Sequence, residues 1–245
     1  MSIQDAFRRA GVGAAVAARE APLASAAMVE FGITTQARAE MFLAQVLHES
    51  GGLNYFEEIA SGSEYEGRAD LGNTHAGDGP RYKGRGPIQL TGRANYRWAG
   101  QQLGVALEQH PEKAAQHALG WRIAGLFWKS HGLNELADRG DFVGITKRIN
   151  GGINGLASRR AYLARLRGVD CRPVDRWRGF TANEKRWIHE YDHLQRTRAN
   201  PGRQKVLRRV MTEERKRIWR AAQGAGGWTA ANRAARYRSL LARTT

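Results

Sequence analysis

Residues 35–52 read TQARAEMFLAQVLHESGG. Over 35–48 the pattern is helical. Ala37, Met41, Ala44, Val46 and Leu47 fall near one another on a helix, Thr34 or Thr35 is placed to cap its start, and Gly51 to stop it. The chain then continues LNYFEE, so that Glu49, Glu57 and Glu58 lie within ten residues across a Gly-Gly pair. They could be solvated surface charges, part of a metal site, or the acid and base of an enzyme.

Working outward, helical patterns return at 93–104, 111–131, 140–150 and 156–167, with Pro111 at a helix start and Gly132 near an end. Residues 54–92 are glycine-rich and aperiodic, and a loop that long inside a compact domain is usually functional. Nothing requires a substantial β-sheet, so the expected class is all-α. The run AGVGAAVAA after Arg8-Arg9 is cut short by Arg19-Glu20, so it reads as a surface or packing helix rather than a signal peptide. No stretch approaches the ~20 apolar residues of a membrane span.

Charge divides the chain. Residues 1–170 hold 20 Lys+Arg against 17 Asp+Glu, and residues 171–245 hold 19 against 6. A step of that size suggests two modules, 1–170 and 171–245, with a break near GVDCRP at 168–173. The second reads as three small helices, the first opening on the capping box Thr181-Ala182-Asn183-Glu184. Cys171 is the single cysteine, so no internal disulfide is possible.

The metal and phosphate readings fail on spacing. His48-Glu49 would begin an H-E-x-x-H zinc helix, but position 52 is glycine. His189 and His193 are four apart with no third ligand evident. Lys83-Gly84-Arg85-Gly86-Pro87-Ile88-Gln89 lacks the ending of a P-loop and the third glycine of a dinucleotide fingerprint. No metal and no organic cofactor is expected.

Glycosidic cleavage fits better, because it needs one protonated and one ionised carboxyl across a sugar-binding cleft. Glu49 ends a helix, where the dipole favours a protonated acid, and Val46, Leu47 and Leu53 could desolvate it. Glu58 lies in looser chain beyond the glycines, which suits a general base. Glu57 competes with it, since neighbours on an extended segment point opposite ways.

LAQVLHESGG, then FEE, then YKGRGPIQLTGRANY at 82–96, then INGG at 149–152 together resemble glycoside hydrolase family 19, over about residues 35–167. Its members are chitinases and the related peptidoglycan-cleaving endolysins of bacteriophages. The run SEYEGRADLGN at 63–73 looks more like the lysins than the plant chitinases. The resemblance implies a lysozyme-like, chitinase-like helical fold, with Glu49 as general acid, Glu58 as general base, and Thr91 helping to hold the attacking water. It implies that Gln89, Asn95 and Asn150 contact the sugars, with Tyr82 beside them. Arg159 or Arg160 would support the cleft electrostatically, and Arg160 is taken as the substrate-side residue. Glu66 is expected to be structural, pairing with Arg68 or a more distant cation. Leu53 and Ala94 stand where the family often carries aromatics, and Asn154 replaces an acidic residue of the plant enzymes.

The expected protein is a monomeric endolysin that cuts the β-1,4-linked amino-sugar backbone of peptidoglycan with inversion, its carboxyls ~6.5–9.5 Å apart. It would act at the cell wall after accumulating in the host bacterial cytoplasm. A chitinase and a non-catalytic wall- or nucleic-acid-binding protein are the alternatives. The basic module 171–245 is expected to bind anionic envelope polymers or lipids, and no base-reading motif suggests specific nucleic acid.

Overall fold

In the computed structural model, residues 2–173 are described. The expectations for the basic module from 174 onward, including its three helices and the His189/His193 pair, fall outside the described residues. Within 2–173 the chain forms nine α-helices: α1 Ile3–Arg9, α2 Ala14–Glu30, α3 Gln36–Glu49, α4 Asp78–Arg81, α5 Arg93–Leu103, α6 His117–Ser130, α7 Leu133–Asp138, α8 Phe142–Asn150 and α9 Leu156–Leu166. Short 3-10 turns occupy Ser63–Tyr65, Ala69–Leu71 and Pro111–Ala115. Among the described residues the only extended pairings are isolated bridges, Glu57 with Arg85 and Arg85 with Leu90. The fold is helical. No helix among them is long and apolar enough to cross a membrane.

Helix α3 is the axis. Thr35 caps it by accepting from the Arg38 amide, and Gly51 and Gly52 close it with positive φ, the Gly52 amide donating to the Leu47 carbonyl at 2.7 Å. It packs against α9 and α7, and Ala39 and every residue from Phe42 to Leu47 are buried. The expected apolar face was therefore drawn too narrowly, because a helix with neighbours on several sides has no single face. Ala37 and Met41 are only half-buried, whereas Phe42 and Leu43 are inside. The Phe42 ring meets Trp128 edge-on at 5.3 Å and Trp121 at 6.2 Å, and Phe7 stacks on Trp121 from the other side at 6.0 Å. These polar-edged aromatics are satisfied: Trp128 Nε1 donates to Asn134, and Trp121 Nε1 to the fully buried Glu20.

One expected helix is divided and another is found nearly as drawn. The pattern over 111–131 breaks at Gln116, whose backbone is extended, and this turn brings Gly120 against the 86–87 loop. A Cβ on Gly120 would lie 2.9 Å from Pro87 Cδ, so only glycine allows the approach. The 140–150 pattern belongs to α8, which Asp141 caps by accepting from the Gly144 amide. A separate α7 precedes it.

Candidate active site

A cavity of about 640 Å³ opens between the end of α3, the 88–91 loop, the start of α5 and the end of α8. Glu49, Gln89, Thr91, Asn95 and Asn150 all line it. On one wall, Glu49 at the last position of α3 is one-fifth exposed, and its Oε1 accepts from Arg159 Nη2 at 2.5 Å. Arg159, itself 2% exposed, reaches across from α9. Its Nη1 donates to the buried Gln45 side chain, whose amide in turn donates to Thr146 Oγ1 at 3.0 Å, and Nε faces the Asn154 carbonyl. A buried guanidinium held by two other elements fixes the rotamer of the carboxyl it touches.

His48, beside this acid, has its Nδ1 3.0 Å from Ser158 Oγ. Burial, then the Arg159 charge, hold it below the usual histidine range, with Glu49 pulling the other way.

A second group is built around Gly84; it shares Gln89 and Thr91 with the cavity, whereas Glu58 itself is not among the residues that line it. The Glu58 amide donates to the Gly84 carbonyl, and the Gly84 amide returns to Glu58 Oε2 at 2.9 Å. Tyr65 donates its hydroxyl to Oε1 at 3.0 Å. Burial first, and the Glu58 bond second, push the Tyr65 phenol up to about 12, so it stays a donor at any ordinary pH. A Cβ on Gly84 would sit 2.7 Å from Gln89 Oε1, 3.1 Å from Glu58 Oε2 and 3.4 Å from Thr91 Oγ1. Three side-chain oxygens thus crowd the Gly84 Cα, an approach that a larger residue would block.

Gln89 is held there at a cost in backbone conformation. Its φ is +54°, rare for a side chain of that size, and the turn is closed by Arg85–Leu90 backbone bonds in both directions. Its Nε2 donates to the Gly86 carbonyl, which leaves Oε1 turned to the Gly84 side. Thr91 donates its hydroxyl hydrogen to the Gln89 carbonyl at 2.9 Å, so toward anything else it is an acceptor.

Glu57 is engaged elsewhere. Its Oε1 lies 3.3 Å from Lys83 Nζ and 3.2 Å from Arg85 Nε, and it is nearly half exposed. The alternation of an extended segment separates the two neighbours: Glu58 turns to the Gly84 group and Glu57 to a pair of cations. Among the described residues, no group of three or more His, Cys, Asp or Glu is placed to hold a metal ion.

A family model described as chitinase class I, of glycoside hydrolase family 19, matches residues 11–155. The chain belongs to glycoside hydrolase family 19. Among family 19 proteins, a glycosyl hydrolase family 19 domain-containing protein of Haemophilus influenzae is 32% identical over 167 residues, covering 55% of this chain and 81% of that protein. An endochitinase of Arabidopsis thaliana is 36% identical over 137 residues, covering 55% of this chain and 47% of its own. The chain thus spans about half the length of that plant relative. Among solved structures, a mutant of chitinase C superposes with a TM-score of 0.55 at 25% identity, covering 66% of this chain and 74% of that one. Chitinase C from Streptomyces griseus gives 0.50 at 28%, covering 58% and 78%.

Two expectations drawn from the family 19 resemblance need correction, and so does the partner expected for Glu66. Tyr82 does not reach the cavity: it is 1% exposed, packs on Tyr96 at 5.4 Å and donates its hydroxyl to the Glu108 carbonyl. It is a core residue under the loop. Arg160 is exposed and does not line the cavity, whereas its neighbour Arg159 carries the contact to Glu49. Glu66 is structural, as expected, but through the backbone amides of Gly77 and Gly79 rather than through Arg68, which pairs with Asp70.

Asn150 lines the cavity while its side chain also ties its own loop, Nδ2 donating to the Asn154 carbonyl and Oδ1 accepting from the Gly152 amide. Asn95 donates to the Thr91 carbonyl. Sequence reasoning gave no role to Tyr65, Trp98, Phe127, His131 or Arg148. The first holds Glu58, and the other four line the cavity.

Proposed function

We propose that this chain hydrolyses the β-1,4-linked amino-sugar backbone of bacterial peptidoglycan by single displacement with inversion, as an endolysin of bacteriophage type. The observation that carries the reading is a single cavity lined by Arg159-held Glu49 and by Gln89 and Thr91, whose side-chain oxygens meet Glu58 at Gly84. With Oε1 of Glu49 held by Arg159, Oε2 is the oxygen left to pass a proton to the glycosidic oxygen. A water beside Gly84 donates one hydrogen to Thr91 Oγ1 and loses the other to Glu58, which is anchored by Tyr65 and the Gly84 amide. The water attacks the face of the sugar opposite the departing oxygen.

Chitin is the competing substrate, favoured by the plant relatives named as endochitinases. The reading predicts that the protein releases new reducing ends from purified peptidoglycan faster than from chitin oligomers of equal length. Each fragment mass would rise by one water. Fragments ending in an anhydro-sugar would make it a lytic transglycosylase, and release from chitin alone would make it a chitinase.

Residues 171–245 would hold the enzyme on the anionic envelope, raising its concentration at an insoluble substrate. Deleting them should abolish a salt-sensitive cosedimentation with cell walls. Unchanged sedimentation would count against attachment.

A further inference from the structure

Arg148 is a cavity residue that the proposed reaction does not use. It lies in the last turn of α8, two residues before Asn150, on the same cavity as Glu49. Its Nη1 donates to the His131 carbonyl at 2.9 Å, which anchors the guanidinium by one bond, and among the described residues its other N–H donors meet no partner. Among the described residues no carboxylate lies within ion-pair distance of it, whereas Arg38, Arg97, Arg122 and Arg159 each hold one. Glu49, the acid of the cavity, is already bound to Arg159.

The surroundings are those of a small receptor. His131 stacks on Phe127 at 3.9 Å, and Trp98 meets it edge-on at 6.3 Å. The Phe127 carbonyl, which can only accept, lies 2.8 Å from His131 Nδ1, so that nitrogen carries its proton. All four side chains line the cavity.

We infer that Trp98, Phe127, His131 and Arg148 form a carboxylate subsite that receives the anionic branch of a muramyl residue. The inference rests on the peptidoglycan reading and extends it. Chitin is neutral along its length, so an anchored, unpaired guanidinium in the cleft gains nothing from it. Peptidoglycan carries on alternate sugars a lactyl ether that ends either in its own carboxylate or in a peptide bearing carboxylates. Arg presents a fork of donors matched to such a group, and the aromatic rings cover its apolar stem. A fixed place for the muramyl unit also fixes the alternation of sugars along the cleft, so that one of the two kinds of linkage is presented to Glu49.

The test compares kcat/KM for the wild type, Arg148→Ala and Arg148→Lys on three substrates. These are glycan strands with peptides attached, strands stripped of peptide by an amidase, and a neutral chitin oligomer. Arg148→Ala should lose about tenfold more on the anionic strands than on chitin, mainly through KM, and Arg148→Lys should recover part of it. A loss confined to peptide-bearing strands identifies a peptide carboxylate as the ligand, and a loss on both forms identifies the branch at the lactyl position. Equal effects on charged and neutral substrates, with peptidoglycan still cleaved by the wild type, would overturn the subsite alone. If the wild type cuts chitin but neither form of peptidoglycan, the substrate reading itself falls. Arg148 is exposed, and thermal unfolding of each variant checks that the fold is kept.

Discussion

Arg159 and Glu49 stand 110 residues apart in the chain and 2.5 Å apart in the fold, a buried guanidinium against the carboxyl that ends α3. The contact leaves only one oxygen of the acid able to face substrate. Replacing Arg159 with Lys keeps a charge but cannot hold Gln45 and Glu49 together. We expect kcat to fall about 100-fold with little change in KM, as follows when a reacting group is misplaced by roughly an ångström. Steady-state kinetics with a far-ultraviolet circular dichroism control checks this.

The two adjacent glutamates should separate sharply. Glu58→Gln should lose about 10²–10⁴-fold in kcat, the usual contribution of a positioned acid or base, and Glu49→Gln a similar factor. Glu57→Gln breaks only a half-exposed pairing with Lys83 and Arg85, which is worth at most about 1 kcal/mol. Its activity should stay within about threefold of the wild type on the same grounds. Parallel kinetics on the three variants would reverse the assignment if Glu57→Gln were the inactive one.

Gly84→Ala asks whether the three-oxygen arrangement matters. The new methyl would press on Gln89, Glu58 and Thr91 at 2.7, 3.1 and 3.4 Å. Displacing the water site should cost activity about 100-fold, while overpacking destabilises by only about 1–3 kcal/mol. Measured rates and denaturant midpoints together separate a lost water site from a lost fold.

Cys171 offers a pH test at the far end of the described chain. Burial pushes its thiol up to about 12, with Glu40 and Asp170 adding to the effect. A raised folded-state value means that its contribution to stability is complete below the ordinary thiol range near pH ~8.5 and is lost as pH climbs toward the folded value. The thiol should resist disulfide exchange at pH 8 until denaturant is added. Between pH 8 and 10 the wild-type denaturation midpoint should fall more steeply than that of Cys171→Ala.

Much of this arrangement was legible in the residues. The helix over 35–48, its cap and its glycine stop follow from local rules, and the structure differs by one residue at each end. Less legible was anything that depends on which side of an element faces the core. Arg159 and Arg160 are equivalent by type. Arg159, however, shares a stripe with Leu163 and Leu166, both buried, at a spacing of four and three. That stripe was the available signal.

The family 19 resemblance puts Tyr82 beside the sugars. Its ring instead closes the core beneath, which sequence does not show without the position of Tyr96. Arg148 gave no signal, since an exposed arginine near a helix end reads as ordinary dipole compensation. Only the cavity, shared with residues from α3 and α5, makes it more than that.

The most direct test of a two-glutamate inverting cleft is the configuration of the first product. Proton NMR of a wild-type digest of purified peptidoglycan, recorded before mutarotation, should show new reducing ends in the α configuration. New ends that are β, or that carry an anhydro ring and no reducing proton, would contradict the account.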